Sequence, residues 1–363
     1  MEVDRKIKVP LYMQIYERLL DRIKDGTYHG GALLPPEREL SGAFGVDRLT
    51  LRRALAIMAD EGLVEKKAGL GTWIKKSPPD RPAGAGTRSI AFFLPNSGSR
   101  IDRITEPCIS RLFYGVERNM SRRGFQLIYS TLGEGEDLTR LLKDSDCAGI
   151  IFVSQIKRTF LQEARRMQIP AVALNACDGY FPSILPDREG GTFDAVSHLA
   201  GLGHRKIAFI SGISTYGSSQ SNFAGYKRAL VETDLDWKGQ PVRHGDWTFD
   251  GGYRAMKSIL EEENFLPTAV FACNDMSALG AVEAIKEAEL SVPQDISVVG
   301  FDDVELCTHS SPKLTTVHVD TDLMADAACQ KLMFTIESGQ IHSVRIMVPT
   351  RLVIRDSTAR ARD

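Results

Sequence analysis

Residues 36–58 read PERELSGAFGVDRLTLRRALAIM, and this stretch decides the fold of the first part of the chain. Pro36 at the start, acids in the first turn and Gly45 at the end predict a short helix between them. After Gly45, leucine and methionine recur on one face of a second predicted helix, and basic side chains gather near its N-terminal end. Two such helices joined by a tight turn are typical of a helix-turn-helix.

The flanking sequence completes this domain. An earlier helix is predicted by four apolar residues that recur at every fourth position, Leu11, Ile15, Leu19 and Ile23. After the second helix of the motif, residues 63–67 and 72–74 flank a glycine-containing turn and predict a hairpin. Three helices followed by a two-stranded wing predict a winged helix-turn-helix, an α+β domain that we place at residues 1–76.

The predicted helix over residues 49–58 has the chemistry to read DNA in the major groove. Arginine can pair with guanine through two hydrogen bonds, threonine can meet a thymine methyl group, and other basic side chains neutralise phosphates. The residues that supply this chemistry are Arg38, Arg48, Thr50, Arg52 and Arg53. Gly69, in the predicted wing, would let the backbone approach the sugar-phosphate chain. The alternative is a solvated basic helix face, and a net charge of +3 over residues 1–76 does not decide between the two.

Composition bounds the rest of the molecule. A chain of 363 residues is too long for one core, and its formal net charge of -2 argues against a polybasic coat protein or an acidic disordered chain. Residues 77–88 contain three prolines and no large apolar residue, which predicts a linker. The absence of a long apolar run and of a signal peptide predicts a cytoplasmic protein with no membrane partner. Six widely spaced cysteines predict reduced thiols and no metal site.

Beyond the linker, residues 89–363 alternate apolar runs with amphipathic stretches. The runs that predict strands are residues 90–95, 125–129, 149–153, 171–174, 206–210, 269–272 and 297–301. The stretches that predict helices are residues 109–120, 190–202, 224–233, 252–262 and 278–288. Such alternation is typical of parallel sheets covered by helices on both faces. It predicts an α/β core of two doubly wound lobes, in which ligands bind at the carboxyl ends of the strands.

The core carries none of the motifs of phosphate-binding loops, serine hydrolases or zinc peptidases, so we predict no catalytic residue and no cofactor. Single polar residues instead follow the predicted strands, namely Asn96, Ser154, Asn175, Asn274 and Asp302. Such side chains hold sugar hydroxyl groups by hydrogen bonds, and Trp247 can stack on the apolar face of a sugar ring. Asparagine and aspartate also form turns and helix caps, which is the alternative interpretation for each residue taken singly.

The first domain carries a series of motifs, PLY at residues 10–12, GGALLPPEREL at 30–40, GVDRLTLRRAL at 45–55, EGLV at 61–64 and GLGT at 69–72. This series resembles the GntR-type winged-helix transcription factors. The resemblance implies operator contacts by Arg38, Arg48, Thr50 and Arg52, and a wing around Gly69. Position 47 departs from the family, which often has a small hydroxyl residue where this chain has an aspartate, and we interpret Asp47 as a helix cap.

The core carries a second series, ILPDREGG at residues 184–191, HLAGLGHRKIAFISG at 198–212, FAGYKRAL at 223–230, NDMSALG at 274–280, VPQDISVVGFDD at 292–303, LTTV at 314–317 and PTRLVIRDS at 349–357. This series resembles the LacI-type regulator core. The resemblance implies the two-lobed fold of periplasmic sugar-binding proteins, with a small molecule held between the lobes by Asn175, Trp247, Asn274 and Asp302.

Position 222 departs from the LacI-type pattern, which usually has an arginine that binds ligand hydroxyl groups. This chain has Asn222, which is shorter and neutral and does not pair with an anion. We therefore expect Asn222 to contact a neutral effector. Arg100 and Arg103, in the first loop of the core, are the residues that would restore positive charge to the site.

A GntR-type head on a LacI-type core resembles the arrangement of arabinose-responsive repressors. It implies a homodimer that represses a carbohydrate-utilisation operon and leaves its double-stranded operator when a neutral sugar, arabinose or a related one, binds. A ligand-activated or co-repressor-dependent regulator has the same residues, because the sign of control depends on the relative energies of two conformations. A sugar- or nucleoside-processing enzyme with a DNA-binding head is a further alternative, against which the absence of catalytic motifs counts.

Overall fold

The computed structural model describes residues 11–24, 27–29, 31–60, 63–67, 71–74, 88–96, 103–133, 135–143, 145–177, 179–262 and 266–362. The chain divides into two compact units, one within residues 1–85 and the other within residues 86–363. The division falls inside the predicted linker, of which residues 77–87 lie outside the described part. Each unit encloses a hydrophobic core of its own.

The first unit consists of three helices and a two-stranded antiparallel sheet. Its elements are α1 (Leu11–Lys24), α2 (Glu37–Phe44), α3 (Arg48–Asp60), β1 (Val64–Lys67) and β2 (Gly71–Ile74). Gly45 follows α2 at a φ of 64°, a left-handed conformation that glycine adopts without steric cost, and this turn leads the chain into α3. Leu51 and Met58 of α3 are fully buried, as their spacing predicts. This unit confirms the predicted winged helix-turn-helix.

The second unit continues the numbering of strands and helices. Its strands are β3 (Ser89–Pro95), β4 (Gln126–Leu132), β5 (Cys147–Val153), β6 (Ala171–Leu174), β7 (Ser183–Pro186), β8 (Ile207–Ser211), β9 (Val242–His244), β10 (Ala269–Ala272), β11 (Ser297–Asp302), β12 (Thr315–Val319), β13 (Arg345–Val348) and β14 (Thr350–Val353). Its helices are α4 (Pro107–Ser121), α5 (Leu138–Leu142), α6 (Arg158–Arg166), α7 (Arg188–Gly201), α8 (Gly217–Glu232), α9 (Phe249–Leu260), α10 (Asp275–Glu287), α11 (Leu306–His309) and α12 (Thr321–Ser338).

Two sheets divide this unit into lobes. The first has the strand order β13-β7-β6-β5-β3-β4, with every pair parallel. The second has the order β14-β12-β11-β10-β8-β9 and is parallel except for β14, which runs antiparallel to β12. In each lobe the first strand lies between the second and the third, so the direction of winding reverses there and a crevice opens at the carboxyl ends of the strands. The predicted pair of doubly wound lobes is confirmed.

The chain passes between the lobes three times, after β7, after β12 and after β13. Helix α12 follows a strand of the second lobe but packs on α4 and on β5 to β7 of the first. The apolar-run criterion missed β7, β9, β12, β13 and β14, which contain polar residues or have only three or four positions. Among the described residues, none of the helices has both the length and the apolar character required to span a lipid bilayer.

Helices α9 and α10 approach so closely that two glycines, Gly252 of α9 and Gly280 of α10, are required at their contact. A Cβ atom on Gly252 would clash with the backbone of Ser277, which cannot rotate away. We expect Gly252→Ala to lower the free energy of unfolding by about 1–3 kcal/mol, measured by urea denaturation. The control is Gly201→Ala in α7, where a Cβ meets nothing within 4 Å and alanine is the better helix former. Equal stability of the two variants would contradict the assigned contact.

Candidate DNA-binding surface and interlobe cleft

Helix α3 begins at a cap made by Asp47. The carboxylate accepts hydrogen bonds from the Thr50 backbone nitrogen and the Thr50 hydroxyl, each at 2.8 Å. These bonds lower the pKa of Asp47, so it is ionised at the positive end of the helix dipole. The interpretation of Asp47 as a cap is confirmed. Because the Thr50 hydroxyl is engaged, its methyl group is the part available to a thymine.

Arg48 and Arg52 are exposed and lie four residues apart, so they share one face of α3. The Arg52 Nε atom lies 2.8 Å from an oxygen of Glu37 in α2, and the Lys66 Nζ atom of β1 lies 2.9 Å from the other oxygen. One carboxylate thus links three elements of the head. Sequence reasoning missed Leu49, which is 79% exposed beside the arginines and offers an apolar contact for a base edge.

The other predicted DNA contacts have different positions. The Arg53 guanidinium lies 4.2 Å from the centre of the Tyr12 ring, which holds this side chain against α1. Arg38 is exposed on α2. Gly69 lies outside the described residues. The structure therefore brings Arg48 and Arg52 together on one surface and places Arg53 beside it.

In the second unit, a cavity of about 1080 Å³ opens between the lobes where their strands end. Five of the residues predicted to bind the effector line it: Ser154, Asn175, Trp247, Asn274 and Asp302. Two do not. Asn96 is exposed at the end of β3, where its backbone nitrogen bonds to the Leu132 carbonyl. Asn222 is only 1% exposed on the buried side of α8, where its side chain contacts Cys273, a residue that lines the cavity.

Backbone strain concentrates at this cleft. Ser154, Asn175 and Trp247 have φ angles of 61°, 57° and 64°, and Asp302 has a φ of 110°. Residues other than glycine occupy this region at an energetic cost, most of all a bulky tryptophan. Strain of this kind is retained where the surrounding structure holds a side chain in a required position. Four of the eight described non-glycine residues with a positive φ thus line this one cavity.

The Trp247 loop is fixed by Asn274. The Asn274 side chain caps α10 by accepting from the Ser277 backbone nitrogen at 2.9 Å, and it donates to the Trp247 carbonyl at 2.8 Å. The Trp247 ring packs edge-on against Tyr216, with 4.9 Å between ring centres. Asn274 thus caps a helix, as the alternative interpretation of this residue predicts, and it also positions the Trp247 ring that forms one wall of the cleft.

Two of the arginines that line the cavity have a buried guanidinium nitrogen. Arg103 is one of the two residues expected to restore positive charge to the site, whereas Arg188 was not among the predicted binding residues. Arg103 is only 8% exposed and bonds to both carboxylate oxygens of Glu106, at 2.9 and 3.3 Å, while its buried Nη1 atom has no hydrogen-bond partner. Arg188, at the start of α7, bonds to the Asn175 amide oxygen at 3.2 Å, and its buried Nε atom has no partner. The detectable signal for Arg188 was its position, directly after strand β7 and the helix cap Asp187.

The carboxyl group of Asp302 lies in an environment unlike that of an ordinary aspartate. Burial raises its pKa to about 7, and the nearby Arg188 guanidinium opposes that change. Its buried Oδ1 atom has no hydrogen-bond partner. Burial also raises the pKa of the cavity thiols Cys108 and Cys273, which keeps them protonated and unsuited to nucleophilic chemistry. Among the described residues, no group of His, Cys, Asp and Glu side chains is arranged to hold a metal ion.

A winged helix with exposed arginines, in a chain that also contains a two-lobed core with a polar cavity, defines the class of ligand-responsive DNA-binding regulators. Residues 11–74 match the family described as bacterial regulatory proteins, gntR family, and residues 196–358 match the periplasmic binding protein-like domain. The ribose operon repressor of Escherichia coli (strain K12) is 31% identical over 270 residues, which cover 72% of this chain and 81% of that protein. The chain belongs to the bacterial transcriptional regulators of the LacI type, with a GntR-type head.

Two further proteins illustrate the similarity. The probable HTH-type transcriptional repressor ExuR of Bacillus subtilis (strain 168) is 36% identical over 216 residues, or 58% of this chain and 65% of that protein, slightly less than two thirds of its length. The lac repressor dimer bound to operator and the anti-inducer ONPF is 27% identical, with a TM-score of 0.65, over 76% of this chain and 96% of that chain. These relatives are named as transcriptional repressors and not as enzymes.

Proposed function

We propose that this chain is a homodimeric repressor of a carbohydrate-utilisation operon, which binds its operator through α3 and leaves it when a small sugar occupies the cleft. The observation that carries the proposal is the cavity at the carboxyl ends of the strands of both lobes, the place where doubly wound folds bind ligands. The similarity to a repressor of a ribose operon and to a repressor dimer bound to operator supports the sugar, the operator and the dimer.

In this proposal the exposed face of α3 enters the major groove. Arg48 and Arg52 read base edges, the Thr50 methyl group and Leu49 provide apolar contacts, and Arg38 neutralises a phosphate. Arg53 supports the surface through its contact with Tyr12. A wing around Gly69 would approach the adjacent sugar-phosphate chain.

The cleft residues make different kinds of contact with a bound sugar. Trp247 supplies the flat apolar face, and Ser154, Asn175, Asn274 and Asp302 supply hydrogen bonds to hydroxyl groups. All five line one cavity, and their backbone positions are fixed by strand ends and helix caps. A ligand that contacts both walls binds the closed arrangement of the lobes better than the open one. It therefore shifts the population of the core towards the closed form.

Sugar binding alters operator affinity if the open and closed arrangements of the core give the dimer a different spacing between its two recognition helices. A dimer must present two recognition helices to half-sites about one helical turn apart, so a change in the core that alters this spacing weakens binding. The sign of control proposed here is release by the sugar. The proposed boundaries are the head at residues 1–76, the linker at 77–88 and the core at 89–363.

The candidate sugar comes from the resemblance of the whole chain. The combination of head and core resembles that of the arabinose repressor AraR, and arabinose or a related sugar is the starting candidate. A neutral effector was expected because Asn222 replaces an arginine of the family. However, Asn222 does not line the cavity and Arg103 and Arg188 do, so the charge of the effector has to be inferred from these two arginines.

The test is a titration of the full chain on a DNA fragment from upstream of its operon, with pentoses, hexoses and uronates added in turn. We expect one of them to weaken operator binding about 5- to 150-fold and to raise the apparent Tm of the protein. The matched variant is Trp247→Ala, which should lose the response to that sugar while its operator affinity without sugar is unchanged. If no sugar alters operator binding, the proposed scheme of release is wrong.

A further inference from the structure

Unsatisfied cationic groups in the cleft indicate the charge of its ligand. Arg103 is more than nine-tenths buried, lines the cavity and has one guanidinium nitrogen, Nη1, without a partner. The buried Nε atom of Arg188 also has no partner. A buried N–H group without an acceptor costs free energy, and more so when the group is charged. Both residues line one cavity, so a ligand held there meets the accessible N–H groups of one buried and one half-buried arginine.

The two arginines differ in whether they belong to an ion pair. Among the described residues that line the cavity, the ion pairs are Arg103 with Glu106 and Arg228 with Glu189. Arg188 belongs to neither pair. Its described contacts are the neutral Asn175 amide and the Phe301 ring, whose centre lies 5.1 Å from the guanidinium carbon. Arg158 and Arg345 also line the cavity without a described ion pair, but both are exposed to solvent. Among the described arginines of the lining, Arg188 is therefore the half-buried one that has no ion pair.

We propose that the effector carries a carboxylate beside its hydroxyl groups, as a sugar acid does, and that Arg188 binds this carboxylate. The inference rests on the proposed function, since it names the chemical class of the same effector. Charge-assisted bonds from a guanidinium to a carboxylate are about twice as strong as neutral hydrogen bonds. A carboxylate also has two oxygens, so it can accept two parallel hydrogen bonds from one guanidinium.

Other anions fit the cleft less well. A phosphate group would bring nearly two negative charges, whereas the Arg103 charge is already balanced by Glu106. Arg158 and Arg345 are exposed to solvent, which leaves Arg188 as the half-buried unpaired charge of the described lining. Asp302 lines the same cavity, and its ionised form would repel a dianion more strongly than a monoanion. A single carboxylate is compatible with Asp302, because burial raises the pKa of this side chain to about 7 and its protonated form can donate a hydrogen bond.

The experiment compares matched ligands on the full chain by calorimetric titration and thermal shift. The pairs are D-galacturonate with D-galactose and D-glucuronate with D-glucose, and D-glucose 6-phosphate and acetate serve as the other anions. We expect at least one uronate to bind about 10- to 100-fold more tightly than its neutral partner and to weaken operator binding. We expect weaker binding of the sugar phosphate and none of acetate at the same concentrations.

Variants at position 188 assign the carboxylate to its partner. Arg188→Gln should remove most of the preference for the uronate, and Arg188→Lys, which keeps the charge but not the planar fork, should restore part of it. Arg166→Gln removes one positive charge from exposed α6, outside the cavity lining, and should leave the preference intact. Circular dichroism and the Tm without ligand establish that each variant is folded.

Several outcomes would overturn the proposal. Tighter binding of the neutral hexoses or of the sugar phosphate excludes a carboxylate effector, and equal losses for uronate and hexose in Arg188→Gln assign Arg188 to packing. Release from the operator by arabinose with no response to any uronate also overturns it, although the proposed function then stands. Failure of the chain to bind operator DNA, by contrast, contradicts the proposed function itself.

Discussion

Arg52→Ala is expected to lower operator affinity about 10- to 100-fold, because a guanidinium that pairs with guanine contributes about 1–3 kcal/mol. Arg52 is 58% exposed on the same face of α3 as Arg48, and Glu37 bonds to its Nε atom. The terminal fork of the guanidinium therefore points beyond the ion pair. An electrophoretic titration on the operator measures the effect, and sugar binding to the core should be unchanged.

Loss of the ion pair with Glu37 is a second explanation for weaker operator binding by Arg52→Ala. A variant of Glu37 distinguishes it from loss of a DNA contact. If Arg52 serves only to join α3 to α2, then Glu37→Gln should weaken operator binding as much as Arg52→Ala does. If Arg52 contacts DNA, Glu37→Gln removes a negative charge near the phosphates and releases both Arg52 and Lys66, so operator affinity should stay the same or rise. An exposed pair stabilises folding by no more than about 1 kcal/mol, so both variants should remain folded.

Arg53→Ala is the internal control for position on the helix. Its guanidinium lies over the Tyr12 ring and not on the face that Arg48 and Arg52 share. We expect a smaller loss of operator affinity than for Arg52→Ala. An equal or greater loss would show that α3 is rotated in the groove relative to the proposed docking.

Much of the fold follows from short-range physics that can be read in one sequence. Proline and glycine mark the ends of α2, and a repeat of apolar residues gives the buried face of α3. Continuous apolar runs give the central strands of both sheets, because those strands are buried on both sides. Strand β12 was missed since its core positions include Thr315 and Thr316, whose burial depends on partners distant in sequence, Ser357 and Asp275.

The sequence predicted the position of the cleft, but it did not predict that Arg188 lines it. Strand ends meet at one edge of a parallel sheet, so polar residues that follow strands were expected to come together, and Asn175 and Asp302 do. Asn222 was placed in the cleft through family resemblance, but it is buried beside Cys273 and does not itself line the cavity. Arg188 was passed over because a charged residue in the first turn of a helix is ordinarily solvated. Only the packing around it shows that its Nε atom is buried.

Asp302→Asn is expected to stabilise the empty protein at alkaline pH. The carboxyl group has a raised pKa in the folded state, about 7 against an ordinary value near 3.8, so folding favours its protonated form. Its ionisation therefore costs stability progressively as the pH rises from about 4 to 7. A neutral asparagine avoids that cost and tolerates the positive φ of this position. The expected gain in the free energy of unfolding is about 2–4 kcal/mol at pH 8 and much less near pH 4.

The neighbouring residue provides a control of opposite sign. Burial raises the pKa of Asp303, but hydrogen bonds from Arg355 and His318, at 2.6 and 2.9 Å, outweigh burial and lower it. The ionised form is therefore stabilising above pH 4, and that contribution is lost as the pH falls through the folded-state pKa. Asp303→Asn should lower the free energy of unfolding at pH 8 by about 1–3 kcal/mol, because Arg355 loses a charged partner.

Urea denaturation of the three proteins at pH 5 and pH 8 measures both changes together. The gain from Asp302→Asn should grow between the two pH values, whereas Asp303→Asn should destabilise at both. Parallel losses in the two variants would mean that Asp302 is held by a partner in the folded state and is not an unpaired buried acid. Because both aspartates have left-handed backbones, with φ of 110° and 57°, a purely conformational effect of asparagine would act in the same direction at both positions. Opposite signs can therefore be attributed to the charges around each carboxyl group.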